Sequence, residues 1–235
     1  RPPPISTLFP NTTLFRSSTL PRLLKRLGQI KDPRNPKTIK HKHTVILLYG
    51  LLIFAYHLSS RREANRKLSL PMFRQNLQLL FPELETLPHA DTLDRLLCRI
   101  NVDQIEEALV DLIRGLIRNK KFQNFLVDKN YCIAVDGTRK FTRDYYWAEE
   151  CLERTEEEHT QYYVYVLEAN IVFPNGIVIP LLSEFLEYQE GLNGKQDCEL
   201  VAFKRLAKRL KHHFPRLSIM LLLDGLFANG PVFSL

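Results

Sequence analysis

Two Asp-Gly pairs are the residues of this 235-residue chain whose setting best suits chemistry. Asp136 directly follows the apolar run 131–135, and Asp224 directly follows the apolar run 218–223. Short apolar runs of this kind predict buried strands, so each strand would end in a carboxylate. Hard divalent cations prefer carboxylate oxygens, and convergent carboxylates serve two-metal phosphoryl chemistry. We therefore predict that Asp136 and Asp224 are catalytic and hold Mg²⁺ or Mn²⁺.

The segment between the two aspartates must bring these strand ends together. Its sequence predicts a hairpin of two strands, joined by the turn Pro174-Asn175-Gly176, and then an amphipathic helix that leads into the last strand. If the last strand lies parallel to the first, the two aspartates meet at the same edge of one sheet. The predicted strands and helix cover residues 131–135, 161–173, 177–185, 197–213 and 218–223.

Basic residues follow the first aspartate closely in the chain. We predict that Arg139, Lys140 and Arg143 contact nucleic-acid phosphates, because they would lie next to the bond to be cut. Trp147 would stack on a base or pack within the fold; both readings stay open.

Other charged residues of this half are assigned to the protein surface. Lys204 and Lys208 lie on the basic face of the predicted helix; they are predicted to contact DNA, with a purely solvated helix face as the alternative. The acidic stretch 149–158 predicts a solvated loop or a short helix. Glu184 is expected to face solvent rather than the metal site.

The N-terminal half has the periodicity of helices. Residues 1–43 predict an irregular basic arm and linker, residues 44–127 an all-helical domain, and residues 128–235 a mixed sheet with helices, which makes the fold class α+β or α/β. Predicted helix starts are Thr44, Ser59 or Ser60, Pro71, and Asp91 or Thr92. The predicted helices cover residues 23–30, 44–58, 61–70, 71–81, 91–100 and 102–117.

Charge is distributed unevenly between the two halves. Residues 1–126 contain 21 Lys and Arg against 10 Asp and Glu, whereas residues 127–235 contain 12 against 16. A basic half favours a polyanionic partner, so we predict that the helical domain binds DNA, with Arg61 and Arg62 among the contacts. The alternative is that both halves simply present solvated surfaces.

Composition excludes several classes of protein. With 45% hydrophobic and 25% charged residues the chain is of globular type. The longest apolar run, 45–56, is shorter than the roughly 20 residues that a membrane-spanning helix needs, and no signal peptide is evident. The four cysteines form no CxxC pair, which argues against zinc and for reduced thiols. We expect a cytoplasmic protein that associates with the nucleoid when it binds DNA.

Four segments resemble the DDE transposases of bacterial insertion sequences. They are IAVDGTRKF, YYVYVLEANIVFPNGIVIPLLSEFLE, QDCELVAFKRLAKRLKHHFPRLSIMLLLDGLFANGPVF and, upstream, LPHADTLDRLL. The resemblance implies an RNase H-like catalytic domain in which Asp136 and Asp224 are the first and second acidic ligands of Mg²⁺ or Mn²⁺. The implied reaction is hydrolysis of a DNA strand followed by strand transfer from the freed 3′-hydroxyl. The implied partners are duplex DNA of transposon ends and target, and a second copy of the chain in synapsis.

The resemblance also implies a third acid, a Glu on a later helix. None of the residues after Asp224 is acidic. We therefore expect a truncated transposase with an incomplete RNase H-like sheet and with weak or absent cleavage. Two alternatives are a non-catalytic DNA-binding remnant and a haloacid-dehalogenase-like phosphatase. The phosphatase is suggested by Asp136-Gly137-Thr138 after a strand, although Thr138 stands where that family has a second acid.

Overall fold

The computed structural model describes residues 19–148, 151–156, 159–186 and 195–227. Within these residues a helical region precedes a mixed five-stranded sheet, which confirms the predicted α+β class. The chain divides into two compact units; the first ends at Ala108 and the second begins at Leu109.

The helical region agrees with the sequence prediction in number and order of helices, and the helix bounds differ by a few residues. In chain order the helices are α1 Thr19–Leu27, α2 His43–Ala55, α3 Arg61–Lys67, α4 Pro71–Gln78, α5 Ala90–Leu97 and α6 Val102–Arg118. The boundary between the two units falls within α6.

Helix starts show which local signals decide the fold. The Ser60 side chain accepts a hydrogen bond from the Glu63 N–H (3.2 Å), while the Glu63 carboxylate accepts one from the Ser59 N–H (2.9 Å). This reciprocal capping confirms the predicted start of α3. Pro71 occupies the first turn of α4, as predicted.

Two of the predicted caps are wrong. Helix α2 begins at His43, before Thr44, and the residue at its N-cap position makes no side-chain cap. Helix α5 is capped by His89 rather than by Asp91 or Thr92. The reason is a tertiary contact: the Asn65 side chain bonds both the His89 ring (2.7 Å) and the Ala90 N–H (2.8 Å), which sets the helix start earlier than local sequence does.

Helix α2 supplies the centre of the first core. Its residues 45–50 are buried, but Leu51 is 45% exposed and Phe54 is 76% exposed, so the helix contributes mainly its first half to the core. Gly50 allows α5 to pack closely, because a Cβ there would lie 3.0 Å from a methyl group of Leu93.

The sheet of the second unit is built around a long central strand. Strand β3 pairs antiparallel with β1 along one edge and with β2 and β4 at successive parts of its other edge. Helix α7 leads from β4 to β5, and β5 pairs parallel with β1. The elements are β1 Tyr131–Arg143, β2 Leu152–Glu156, β3 His159–Val172, β4 Val178–Phe185, α7 Lys195–His213 and β5 Ile219–Leu222.

The predicted turn between β3 and β4 is confirmed. Gly176 has φ 83°, a left-handed conformation that suits glycine, and its N–H donates to the Phe173 carbonyl (2.9 Å). The acidic stretch 149–158 was predicted to be a loop or a short helix, but its residues 152–156 form strand β2. Residues 149–150 and 157–158 lie outside the described part. A largely polar segment becomes a strand here because it pairs with the available edge of β3.

Candidate metal and nucleic-acid site

The register of the parallel pair aligns the two aspartates. Ala134 of β1 pairs with Leu222 of β5, and Asp136 and Asp224 each follow two residues later. Adjacent strands lie about 4.8 Å apart, so the backbones of the two aspartates are neighbours just beyond the end of β5. The predicted parallel placement of the last strand beside the first is therefore confirmed.

The prediction that the first strand ends at Asp136 is wrong. Strand β1 continues to Arg143, and only its pairing with β5 stops at Ala134. The strand continues because β3 remains its antiparallel partner beyond that point. Asp136 thus lies where β1 leaves β5, with its backbone still held by β3.

The Asp136 carboxylate is exposed and partly engaged. Its Oδ1 accepts a hydrogen bond from the Gly137 N–H (2.8 Å), and Oδ2 has no hydrogen bond among the described residues. Gly137 has a packing role of its own, because a Cβ there would lie 2.5 Å from Cε1 of Tyr165, whose ring is buried. Asp136 therefore has one carboxylate oxygen without a hydrogen bond among the described residues, and the next residue, Gly137, has no side chain because Tyr165 occupies that space.

Asp224 lies at the start of a 3₁₀ turn. This turn covers Gly225–Phe227, and the Phe227 N–H donates to the Asp224 carbonyl (3.2 Å). The aspartate is exposed, and Phe227 is buried against Phe203 of α7 with ring centroids 5.0 Å apart. Phe227 thus anchors the segment that carries Asp224.

The donor set suits a hard cation with open coordination positions. Two carboxylates fit Mg²⁺ or Mn²⁺, which are commonly bound by one or two protein carboxylates together with waters and substrate phosphates. Within the described ranges no three His, Cys, Asp or Glu residues converge as metal ligands.

Glu168 is a neighbour of Asp136 that the sequence analysis missed. The two residues are paired across β1 and β3, which places their side chains on the same face of the sheet. Lys140 Nζ lies 3.2 Å from Glu168 Oε1, so a cation of the protein already compensates this carboxylate. A single acid within the apolar strand 161–173 was the available signal, but only the strand register shows what lies opposite it.

The basic residues after Asp136 are divided between the two faces of the sheet. Lys140 shares the face of Asp136, whereas Arg139 faces the other way, with its guanidinium 4.3 Å from the centroid of the Tyr163 ring. Phe141 is the extra residue of a β-bulge, since Lys140 pairs with Val164 and Thr142 pairs with Tyr163. Because the bulge reverses the alternation, Arg143 returns to the face of Asp136.

Helix α7 lies on the face of the sheet opposite to Asp136. Its Arg205 and Arg209 bind Glu184 of β4 at 2.6 and 2.5 Å, and the Glu184 side chain is only 12% exposed. The prediction that Glu184 faces solvent is therefore wrong; it joins α7 to the sheet. Lys204 and Lys208 are exposed on the outer side of the helix and do not lie with the two aspartates.

The predicted DNA contacts of the first unit lie at the start of α3. Arg61 forms exposed ion pairs with Asp94 (3.1 Å) and Asp91 (3.7 Å), whereas Arg62 is exposed and forms no ion pair among the described residues. Exposed ion pairs contribute little stabilisation energy, so the Arg61 side chain can turn towards a phosphate, and the Arg62 side chain can do so too.

A comparison with known protein families supports one part of the sequence interpretation. Residues 24–113 match the family described as DDE_Tnp_1-associated, which links the chain to DDE-family transposases. The match covers α2 to α5 and most of α6, and the sheet that carries Asp136 and Asp224 lies outside it. No curated protein and no solved structure matches the chain. In the part of the chain that the structure describes, no helix is both long and apolar enough to cross a membrane.

Proposed function

We propose that this transposase-related chain binds duplex DNA and acts on its phosphodiester bonds with a divalent cation held by Asp136 and Asp224. The observation that carries the proposal is the parallel register of β1 and β5, which makes the two aspartates neighbours just beyond the end of β5. A bound Mg²⁺ or Mn²⁺ would polarise the phosphate and lower the pKa of the attacking water or hydroxyl.

The residues of the chain perform the positioning in this proposal. Asp136 would help to hold the cation, while the Gly137 N–H bonds its Oδ1 and restricts the rotation of the carboxylate. Asp224 is set by the turn that Phe227 anchors. Lys140 and Arg143 share the face of Asp136 and would hold the phosphates of the strand under attack.

An RNase H-like identity of the second unit is part of the same proposal. It is supported by the order of elements, in which a strand, a hairpin of two strands, a helix and a parallel last strand follow one another. The same order of elements underlies the resemblance of the sequence to DDE transposases.

Glu168 is the acid of the sheet that lies opposite Asp136, but its pairing with Lys140 weakens it as a further ligand of the cation. We further propose that the chain acts in the cytoplasm on nucleoid DNA and pairs with a second copy in synapsis.

A nicking assay on supercoiled DNA tests this function. We expect nicking that requires Mg²⁺ or Mn²⁺ and falls at least tenfold in Asp136→Asn and in Asp224→Asn. The control is Glu153→Gln, which removes an exposed carboxylate from β2 of the same unit. Nicking that persists unchanged in both aspartate variants would refute the assignment of the catalytic residues.

A second candidate function is DNA binding without cleavage. It is favoured by the family match, which covers the helical region and not the sheet. Salt-sensitive binding of duplex DNA, with no metal-dependent nicking at any protein concentration, would favour this function over the first.

A further inference from the structure

A cluster of aromatic rings around one guanidinium lies beyond the bulge of β1. We call it the aromatic platform; its members are Arg143, Tyr145, Tyr146, Trp147 and Tyr162. The Arg143 guanidinium lies 5.4 Å from the centroid of the Tyr145 ring and 5.2 Å from that of Trp147. It also donates a hydrogen bond to the Tyr145 hydroxyl (2.7 Å). Tyr146 packs edge-on against Tyr162, with ring centroids 5.9 Å apart.

Two rings of the platform, those of Tyr145 and Tyr146, are open to solvent, and those of Trp147 and Tyr162 are half-buried. Tyr145 and Tyr146 are each 58% exposed, and Phe141 in the adjoining bulge is 73% exposed. Aromatic side chains that only stabilise a fold bury most of their surface, because burial is their main contribution. The stretch 141–147 reads FTRDYYW and contains no aliphatic residue, which distinguishes the platform from an ordinary apolar patch.

The platform and Asp136 lie on the same face of the sheet. Arg143 is paired with Tyr162, and Asp136 is paired with Glu168, six residues further along β3. Six residues of strand span about 20 Å, and Lys140 lies between the two sites on the same face. A ligand that lies along this face would reach from the platform to the two aspartates.

We propose that the aromatic platform binds single-stranded nucleic acid by stacking its bases on the exposed tyrosines and on Trp147. Proteins that bind single strands combine exposed aromatic rings with arginine and lysine, and stacking tolerates any base. Lys140 and Arg143 supply the positive charge on this face and suit a phosphate backbone, while Arg139 lies on the other face and Glu153 is paired with Tyr162. A duplex fits less well, because its bases are already stacked on one another and their faces are not available.

The chain contains a built-in probe for this proposal. Trp147 is its only tryptophan, so any change of tryptophan fluorescence reports on the platform. We expect an oligothymidylate of about 12 nucleotides to quench this fluorescence, and a duplex of the same length to quench it much less.

Substitutions separate stacking from charge and from folding. Tyr145→Ala should weaken oligothymidylate binding about tenfold or more, while Tyr145→Phe keeps the ring and should bind within about twofold of the wild type. Arg143→Lys keeps the charge but loses the planar guanidinium, and it should weaken binding measurably. The matched control is Arg216→Ala, which removes an exposed charge at the opposite end of the sheet, before β5. Binding is measured by anisotropy of a labelled oligonucleotide, and thermal melting confirms that each variant is folded.

Three results would overturn the proposal: no fluorescence quenching by the oligonucleotide, equal affinity of Tyr145→Ala and wild type for the oligonucleotide, or equal quenching of Trp147 fluorescence by single strand and duplex. A loss of self-association in Tyr145→Ala, without any effect of the oligonucleotide, would instead make the platform a protein interface and would also overturn it. The proposal does not depend on the metal site. The double variant Asp136→Asn/Asp224→Asn should bind the oligonucleotide as tightly as the wild type, so the failure of one proposal is distinguishable from the failure of the other.

Discussion

Adjacent residues of β1 have different tasks at the candidate site. Asp136 places an exposed carboxylate on one face of the sheet, and Gly137 leaves room for the buried ring of Tyr165 on the other face. An Asp-Gly pair in a sequence most simply indicates a turn, yet here it lies within a strand. The glycine is explained by close packing of an aromatic ring, and the aspartate by its position opposite the end of β5.

Substitution of Gly137 tests this division of tasks. Gly137→Ala should lower the free energy of unfolding by about 1–3 kcal/mol, because the new methyl group overlaps the Tyr165 ring. The loss should be much smaller in a Tyr165→Leu background. Chemical denaturation of the wild type, the two single variants and the double variant measures this difference as a double-mutant cycle. Equal losses in both backgrounds would show that the ring does not cause the requirement for glycine.

Sequence reasoning identified single residues best where a chemically useful side chain directly follows an apolar run that predicts a strand. Asp136 and Asp224 stand out because each follows an uninterrupted apolar run, and the parallel register then makes them neighbours. Glu168 and Glu184 were missed because their roles depend on partners that only the folded sheet brings close: Lys140 for the first, and two arginines of α7 for the second.

At the scale of elements, the bulge in β1 decides which side chains share a face. In a regular strand Thr142 would lie on the face of Asp136, but the extra residue Phe141 places Arg143 there instead. Neither this bulge nor strand β2 was predictable, since both depend on pairing with β3 rather than on an apolar pattern of their own.

The bulge has a testable backbone cost. Phe141 has φ 48°, a left-handed conformation that costs most residues about 1–2 kcal/mol and that glycine adopts freely. Phe141→Gly should therefore be as stable as the wild type or more stable, while the β-branched Phe141→Val should be destabilised. Thermal melting measures both, and a Val variant that is more stable than the Gly variant would contradict the assigned backbone strain.

The start of α3 predicts a specific dependence on pH. Hydrogen bonds from Lys67 and from the Ser59 N–H and hydroxyl lower the pKa of Glu63 to about 2, from an ordinary value of 4.5. A carboxyl with a lowered pKa stabilises the fold above pH 4.5 and loses this effect as the pH falls towards 2. Glu63→Gln should melt at a lower temperature than the wild type at pH 7, and the difference should shrink between pH 4.5 and 2. A difference that stays constant over this range would mean that the charge of Glu63 is not what stabilises the helix start.

At the scale of the whole molecule, the difference in net charge between the two compact units is smaller than the difference between residues 1–126 and residues 127–235. Residues 1–108 contain 17 Lys and Arg against 9 Asp and Glu, and residues 109–235 contain 16 against 17. The first unit remains basic, whereas the second is close to neutral. This distribution favours the helical unit as the main source of electrostatic attraction to duplex DNA.

Duplex binding should then depend on Arg62 more than on Arg61. Arg62→Ala should weaken binding to any duplex and reduce the slope of log affinity against log salt by about 1. Arg61→Ala should have a smaller effect, because its guanidinium is already shared with Asp94 and Asp91. Anisotropy titrations at several salt concentrations measure both, with Arg216→Ala as control. A larger effect of Arg61→Ala would contradict this ranking.

The fold class, and the order of the elements other than β2, were predictable because hydrophobic periodicity is helical up to α6, then strand-like, and helical again in α7 before the last strand. The side-chain arrangement at the candidate site was only partly predictable, since it follows from sheet register, a bulge and cross-strand ion pairs. These features depend on contacts between residues that are distant in sequence.

Cation binding is the most direct measurement of the central claim, because it does not require cleavage. Titration with Mn²⁺, followed by the loss of the electron paramagnetic resonance signal of the free ion, should reveal a site that Mg²⁺ displaces. Binding should weaken at least tenfold in Asp136→Asn and in Asp224→Asn, and should be unchanged in Glu153→Gln. Mn²⁺ affinity that is the same in the wild type and in both aspartate variants would contradict the claim that these two carboxylates hold one cation.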